Sequence, residues 1–180
     1  MDQTSAAPDL RFPIGRFETP PAVDSGLRSR WIDQVAALPA ELRRAVDGLS
    51  DSQLDTPYRP GGWTVRQVAH HLADSHMNSY VRFKLALTEP EPTVKPYEES
   101  LWAELEEART APVEVSVTLL DALHRRWVLM LRAMSEADFS RAFLHTKYGR
   151  ARLDATLGLY AWHGRHHVAH ITSLRQRMGW

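Results

Sequence analysis

The sequence has no cysteine among its 180 residues. This absence excludes disulfide bonds, a cysteine nucleophile and any metal site built on thiolates. A metal ion in this protein would have to be bound by imidazole and carboxylate side chains. The chain has nine histidines, and they are the feature of the composition that most needs an explanation.

Net charge and long apolar runs are lacking as well. The 22 basic residues balance the 22 acidic ones, so there is no net field to attract nucleic acid or an anionic membrane surface. No apolar run reaches the roughly 18 residues of a membrane span, and residues 1–24 contain no signal-peptide core. We therefore expect a cytoplasmic protein that binds neither nucleic acid nor a membrane.

Length and proline content predict one domain preceded by an arm. A chain of 180 residues can bury one substantial core and is short for two domains. Residues 1–22 are rich in proline and lack periodicity, which is typical of a segment that lies on a surface. We assign residues 1–22 to an N-terminal arm and residues 23–180 to a single domain.

Apolar residues recur at helical spacing in four long segments. These predicted helices span residues 23–49, 64–87, 112–134 and 154–177. The first is expected to bend at Pro39, and Thr64 and Asp154 are the predicted N-caps of the second and last. A short acidic helix over 98–108 and a small hairpin over 143–153 are predicted between them. The pattern predicts an all-α four-helix bundle with long crossover connections, and simple up-and-down order stays open.

The last predicted helix carries two pairs of histidines spaced four residues apart, His163 with His167 and His166 with His170. Either pair places two imidazoles one turn apart, which is near enough to share a metal ion. The midpoint of the first pair lies roughly 55° from the centre of the apolar stripe, against roughly 115° for the second. The first pair therefore borders the core and is the better candidate.

Two imidazoles bind a metal ion weakly, so a third ligand is expected from another helix. The second predicted helix offers His70, His71 and His76. Periodicity does not choose among the three, because this helix is apolar on two stripes. Structural or surface roles are assigned to the other histidines, which are His124, His145, His166 and His170.

Several segments are similar to a known family. Residues 60–79 (PGGWTVRQVAHHLADSHMNS), 82–89 and 157–163 resemble the YfiT branch of the DinB/YfiT-like metal-dependent hydrolases. The similarity extends to residues 12–15 and 177–180, so it covers nearly the whole chain. Members of this family are four-helix bundles with a metal bound by three histidines, and the resemblance implies a DinB-like metal-binding domain here.

The resemblance also implies a ligand set. The family places one ligand eight residues after a tryptophan and two more in an HxxxH motif on the last helix. In this sequence these positions are His71, His163 and His167, with His70 or His76 left open as alternatives to His71. We expect one Zn²⁺ per subunit, or else Ni²⁺. Family members resemble homodimers, so a homodimer is expected as well.

Three neutral imidazoles leave a coordination position open for water or substrate. A divalent ion in such a site lowers the pKa of water toward about 7 and polarises a carbonyl, which favours hydrolysis of a small molecule as the function. Two alternatives stay open. The wider family implies a transferase that uses a low-molecular-weight thiol, and the metal could instead link two helices in a non-catalytic bundle.

Three further residues are candidates for proton transfer or substrate binding. Asp74 follows His71 by three residues and is a candidate catalytic base, the alternative being a carboxylate that orients an imidazole. Arg82 and Lys84 are candidates for binding an anionic substrate or thiol, although such side chains more often extend from a helix into solvent.

Overall fold

The structure is a computed structural model and describes residues 9–180. In chain order its elements are α1 (Ser25–Val46), α2 (Asp51–Leu54), α3 (Val65–Thr88), β1 (Thr93–Val94), α4 (Glu99–Trp102), α5 (Glu106–Thr110), α6 (Val113–Ala133), α7 (Glu136–Ser140), β2 (Ala142–His145), β3 (Gly149–Arg152) and α8 (Leu153–Met178). All four predicted long helices are present as α1, α3, α6 and α8. No helix within residues 9–180 is long and apolar enough to cross a membrane.

The long helices form a four-helix bundle with a crossover order. Helix α1 packs against α6 and α8, and α3 packs against the same two helices. Consecutive long helices α1 and α3 therefore occupy opposite corners of the bundle, unlike the up-and-down order in which consecutive helices are neighbours. The predicted four-helix bundle with long crossover connections is confirmed.

A small sheet lies beside the bundle. Strands β2 and β3 form the predicted hairpin, in which Ala142 pairs with Arg152 and His145 with Gly149. Strand β1 adds in parallel to β2, and its two residues are too few for any alternation to reveal a strand. The sheet contacts α3 and α8, the two helices that carry the predicted metal ligands. The predicted acidic helix over 98–108 is divided into α4 and α5.

Side-chain capping explains where α3 begins, but α8 begins without a side-chain cap. Thr64 Oγ1 accepts a hydrogen bond from the Gln67 N–H at 3.1 Å, and Gln67 Oε1 accepts one from the Thr64 N–H at 2.9 Å. This reciprocal pair fixes the first turn of α3 as predicted. The predicted cap of α8 was wrong, because the N-cap is Arg152. Asp154 lies in the first turn, where its carboxylate accepts the Ala155 N–H at 2.7 Å and faces the positive end of the helix.

Two glycines allow α8 to approach α1 closely. A Cβ added at Gly158 would lie 2.7 Å from the ring of Trp31, and one added at Gly164 would overlap the side chain of Leu38. A larger residue at either position would force Trp31, Leu38 or the helices themselves to shift. The close contact between α1 and α8 therefore depends on glycine, which has no side chain, at positions 158 and 164.

The described part of the N-terminal arm packs on the outer face of α8. Trp162 Nε1 donates a hydrogen bond to the carbonyl of Gly15 at 3.3 Å. The rings of Phe12 and Phe17 lie 5.7 Å from His166 and 6.1 Å from Trp162. Residues 1–8 of the predicted arm lie outside the described residues.

Candidate metal centre

His71 from α3 and His163 and His167 from α8 bring their ring nitrogens together, and we call them the three-histidine group. One nitrogen of each ring lies within 4.8 Å of the other two, and the Nε2 atoms of His71 and His163 are 3.3 Å apart. Two nitrogens bound to a tetrahedral ion at roughly 2.0–2.1 Å are separated by about 3.3–3.4 Å. The spacing of this pair therefore fits two ligands of one tetrahedral metal ion.

Burial keeps the rings of this group neutral at neutral pH. Burial lowers the pKa of His71 to about 4, and burial together with neighbouring histidines lowers the pKa values of His163 and His167 well below the ordinary value. Behind them, burial has the same effect on the pKa values of His76 and His124. A neutral imidazole retains a lone pair for a metal ion, so the donor set fits a divalent cation.

The three histidines that the sequence offered on the second long helix are now separated. His70 points elsewhere, with its Nδ1 2.7 Å from the hydroxyl of Ser116. His76 lies behind His163, where its Nε2 is 3.3 Å from His163 Nδ1 rather than from the nitrogen that faces the other rings. Of these candidates only His71 joins the three-histidine group.

A cavity of about 470 Å³ opens from the three-histidine group, and we call it the site cavity. Its aromatic and apolar lining includes Trp63, Tyr97, Phe143, Tyr148, Leu159 and Tyr160. Its polar and charged lining includes Ser75, Arg82, Glu98, Glu99, His145 and Lys147. A concave space of this size with mainly apolar walls and a few polar groups is typical of a small-molecule site.

Of the other predicted site residues, Arg82 lines the site cavity and Lys84 and Asp74 do not. Lys84 is exposed, and its ammonium lies 5.6 Å from the ring of Tyr80. Asp74 is half-buried. Burial and the charge of Glu107 raise the pKa of its carboxyl to about 6.

His145 lines the site cavity, although only a structural or surface role was expected from its sequence. Its Nδ1 accepts hydrogen bonds from the backbone N–H groups of Lys147 at 3.1 Å and Tyr148 at 3.3 Å. A neutral ring with Nδ1 as acceptor carries its proton on Nε2, so His145 adds a hydrogen-bond donor to the lining. No sequence signal marks this residue, because its role depends on how the hairpin docks against the bundle.

The chain is similar to known bacterial proteins over almost its whole length. Residues 34–171 match the family model described as the DinB superfamily. A protein of Bacillus mycoides (strain KBAB4), named as a proposed metal-dependent hydrolase, is 55% identical over 172 residues, covering 96% of this chain and 99% of that protein. A protein of Bacillus cereus (strain B4264) with the same description is 54% identical over 172 residues, again covering 96% of this chain and 99% of that protein.

A solved structure is also similar to this chain over almost its whole length. YfiT from Bacillus subtilis, described as a probable metal-dependent hydrolase with an unusual four-helix bundle topology, is similar with a TM-score of 0.93 and 50% sequence identity. The similarity covers 95% of this chain and 98% of that one. The family resemblance expected from the sequence is confirmed, and the chain belongs to the DinB superfamily.

Proposed function

We propose that this protein is a metal-dependent hydrolase of a small molecule, with one divalent ion bound by His71, His163 and His167. The observation that carries the proposal is that three neutral imidazoles meet at a cavity rather than inside closed packing. Relatives described as proposed metal-dependent hydrolases support the same reaction class. We propose Zn²⁺ as the ion, with Ni²⁺ as the alternative, because imidazole ligands suit both.

A divalent ion bound by three imidazoles supplies Lewis-acid polarisation of a carbonyl and lowers the pKa of water toward about 7. The protein's own side chains have to hold the substrate and limit access of bulk water. The ring of Trp63 lies 4.6 Å from that of His71 and 6.3 Å from that of His167, so it covers one side of the ligands. Tyr160 lies 5.5 Å from His163 on the cavity side. These aromatic rings would dehydrate the apolar part of a bound substrate.

Arg82 indicates which chemical group the substrate carries. Arg82 lines the site cavity together with His145, and both side chains carry N–H groups that can donate hydrogen bonds to an acceptor group. We propose that the substrate carries an anionic group at this end and the scissile bond at the three-histidine group. Lys84, on the same helix and exposed, provides a matched control.

The matched pair tests this substrate chemistry. Arg82→Gln should raise the KM of a reporter ester that carries a carboxylate by about 10-fold or more, since a charge-assisted hydrogen bond is lost. The KM of a neutral ester of the same size should change much less, and Lys84→Gln should leave both unchanged. Equal KM values for Arg82→Gln and Lys84→Gln with the charged ester would remove Arg82 from the substrate site.

Asp74 is the proposed proton acceptor. Its carboxyl has a pKa of about 6, which is close to the range in which a general base works at neutral pH. Its position outside the cavity lining argues for a smaller role than direct contact would give. We expect Asp74→Asn to lower kcat by about 10-fold, below the usual range for a general base, and to remove an acidic limb near pH 6. An unchanged pH profile in Asp74→Asn would exclude the role.

The central experiment uses untagged protein, because a polyhistidine tag would bind metal itself. Elemental analysis should give one divalent ion per chain. Protein reloaded with Zn²⁺ should hydrolyse at least one of a panel of ester, amide and phosphate reporters, and His71→Ala should lose both the ion and the activity. Absence of bound metal, or hydrolysis that persists in His71→Ala, would contradict the proposal.

The same untagged protein can distinguish the two alternative functions, thiol transfer and a non-catalytic metal link. Addition of a low-molecular-weight thiol to Co²⁺-loaded protein would give a thiolate charge-transfer band if the function is thiol transfer. Stoichiometric metal with neither hydrolysis nor a thiolate band would favour a non-catalytic link between α3 and α8. We also propose a homodimer, and a light-scattering mass equal to one 20.5 kDa chain at micromolar concentration would contradict it.

A further inference from the structure

A chain of hydrogen-bonded rings runs from the three-histidine group into the core, and we call it the histidine chain. His163 Nδ1 is 3.3 Å from His76 Nε2, and His76 Nδ1 is 2.9 Å from His124 Nε2. The chain ends where His124 Nδ1 lies 2.6 Å from the carbonyl oxygen of Val35 in α1. His76 and His124 are 0% and 1% exposed, and the proposed reaction uses neither of them.

The carbonyl at the end fixes the direction of every hydrogen bond in the histidine chain. A carbonyl oxygen can only accept, so His124 must donate through Nδ1. Each neutral ring has a single N–H, so His124 Nε2 accepts from His76 Nδ1, and His76 Nε2 accepts from His163 Nδ1. His163 is then left with its lone pair on Nε2, which is the atom 3.3 Å from His71 Nε2.

Pro39 explains why the carbonyl of Val35 is available. In an α-helix this carbonyl would accept a hydrogen bond from the N–H of residue 39. Proline has no N–H and is unfavourable inside a helix, yet α1 continues through Pro39. The missing helical donor leaves the Val35 oxygen free where α1 packs against α6, and His124 of α6 takes it.

We propose that His76, His124 and the Val35 carbonyl are positioning groups that hold the ring of His163 in the tautomer with its lone pair on Nε2. The inference rests on the proposed role of His163 as a metal ligand. Metal-binding histidines commonly donate their second N–H to a carboxylate or a backbone carbonyl, which orients the ring. Here two further neutral rings carry that hydrogen bond to a carbonyl in another helix, and no charge is placed in the core.

NMR of metal-free wild-type protein with ¹⁵N-labelled histidine tests the proposal without any substitution. The Nδ1–H tautomer is expected at His163, His76 and His124. A majority population with the proton on Nε2 at any of the three would overturn the proposed direction. Because the wild-type protein is measured, the result does not depend on whether a variant folds.

Substitutions at position 124 test whether the histidine chain supports metal binding. His124→Phe keeps a ring and removes both hydrogen bonds, so we expect it to weaken Zn²⁺ binding about 10- to 100-fold and to mix the tautomers of His163. His124→Gln keeps a donor and an acceptor and should recover part of both effects. Zn²⁺ affinity is measured by competition with a chromophoric chelator, on variants shown to be folded by circular dichroism.

His70→Phe is the matched control. His70 is 5% exposed and lies next to a proposed ligand, but its ring nitrogens contact Ser116 and the Ala111 carbonyl instead of the histidine chain. We expect its Zn²⁺ affinity to stay within about 3-fold of wild type, because the chain is intact. An equal loss in His70→Phe and His124→Phe would overturn positioning, because general damage to the core would then explain both.

Pro39→Ala provides a second variant in which every side chain of the histidine chain is retained. The new N–H competes with His124 for the Val35 carbonyl, so a smaller loss of Zn²⁺ affinity than in His124→Phe is expected. If His124→Phe and Pro39→Ala both fold and both keep the wild-type Zn²⁺ affinity and the wild-type tautomer of His163, the proposal is overturned.

If wild-type protein binds no metal at all, the proposed function fails. The NMR measurement on metal-free protein still decides the direction of the hydrogen bonds in the histidine chain.

Discussion

Helix α8 carries two histidine pairs with the same four-residue spacing and different neighbours. His163 and His167 face α3 and the site cavity, where a third histidine meets them. His166 and His170 lie under the N-terminal arm and are 6% and 3% exposed. Both pairs occur in buried surroundings, so neither spacing nor burial tells them apart. The segment of chain that each pair meets is what separates a candidate metal site from packing.

The arm occupies the second pair. His170 Nε2 donates a hydrogen bond to the Arg11 carbonyl at 3.1 Å, and the His170 ring stacks on Tyr58 at 3.9 Å. His166 packs against Phe12. Within residues 9–180 no third histidine or acidic group joins this pair at metal-binding distance. The sequence places this pair farther from the apolar stripe of α8 than the first pair, and in the structure the rings contact the arm and Tyr58.

Removal of one histidine from each pair should give the largest difference between them. His167→Ala should weaken Zn²⁺ binding by more than about 100-fold, because a lost ligand should cost more than a lost orienting group. His170→Ala should retain one ion per chain with an affinity within about 3-fold of wild type, because its ring contacts Arg11 and Tyr58 and not the three-histidine group. Chelator competition measures both. Similar losses in the two variants would mean that the pairs do not differ in function.

Weakening the contact between the arm and α8 should affect stability but not metal binding. Phe12→Ala removes a half-buried ring from His166 and should lower the free energy of unfolding by about 2 kcal/mol, below the range for a fully buried phenylalanine. The affinity for Zn²⁺ should not change, because residues 9–22, the described part of the arm, do not line the site cavity. Urea unfolding of metal-free protein gives the first quantity and chelator competition the second. A variant of full stability but weakened Zn²⁺ binding would reverse the assignment.

Acid gives the smallest of the three effects. Burial lowers the pKa of His170 to about 4, so the unfolded chain takes up a proton at higher pH than the folded one. The stability contributed by this neutral ring is present above about pH 6.5 and is lost as the pH falls toward 4. Between pH 7 and pH 5 the loss should be about 1 kcal/mol after allowance for solvent screening.

The control for the acid effect is His170→Phe. Its free energy of unfolding, measured without metal, should fall by about 1 kcal/mol less than that of wild type over the same interval. Identical pH dependences would show that burial does not hold His170 neutral in the folded protein.

The sequence predicted the four helices because their apolar spacing is a local property. It could not predict β1, whose two residues pair with a strand about 50 residues away, nor the division of the acidic helix. The site residues likewise include some that local spacing predicts and one that it does not. The orientation of His163 and His167 follows from the stripe on α8, whereas α3 is buried almost all round over residues 65–73, so no stripe pointed to His71. Only the family resemblance identified it.

The histidine chain lay beyond sequence reasoning for a different reason. Pro39 was predicted to bend α1, but its more specific effect is a carbonyl without a helical donor. That effect matters only because α6 packs against α1 so that His124 reaches the carbonyl of Val35. A crossing between two helices is set by the topology of the bundle, and no pattern within either helix encodes it.

The most direct test of the account is anomalous diffraction at the zinc absorption edge from crystals of untagged, zinc-loaded protein. We expect one strong peak per chain, roughly 2.0–2.1 Å from a ring nitrogen of each of His71, His163 and His167. A peak at His166 and His170 instead, or no peak beside the three-histidine group, would contradict it.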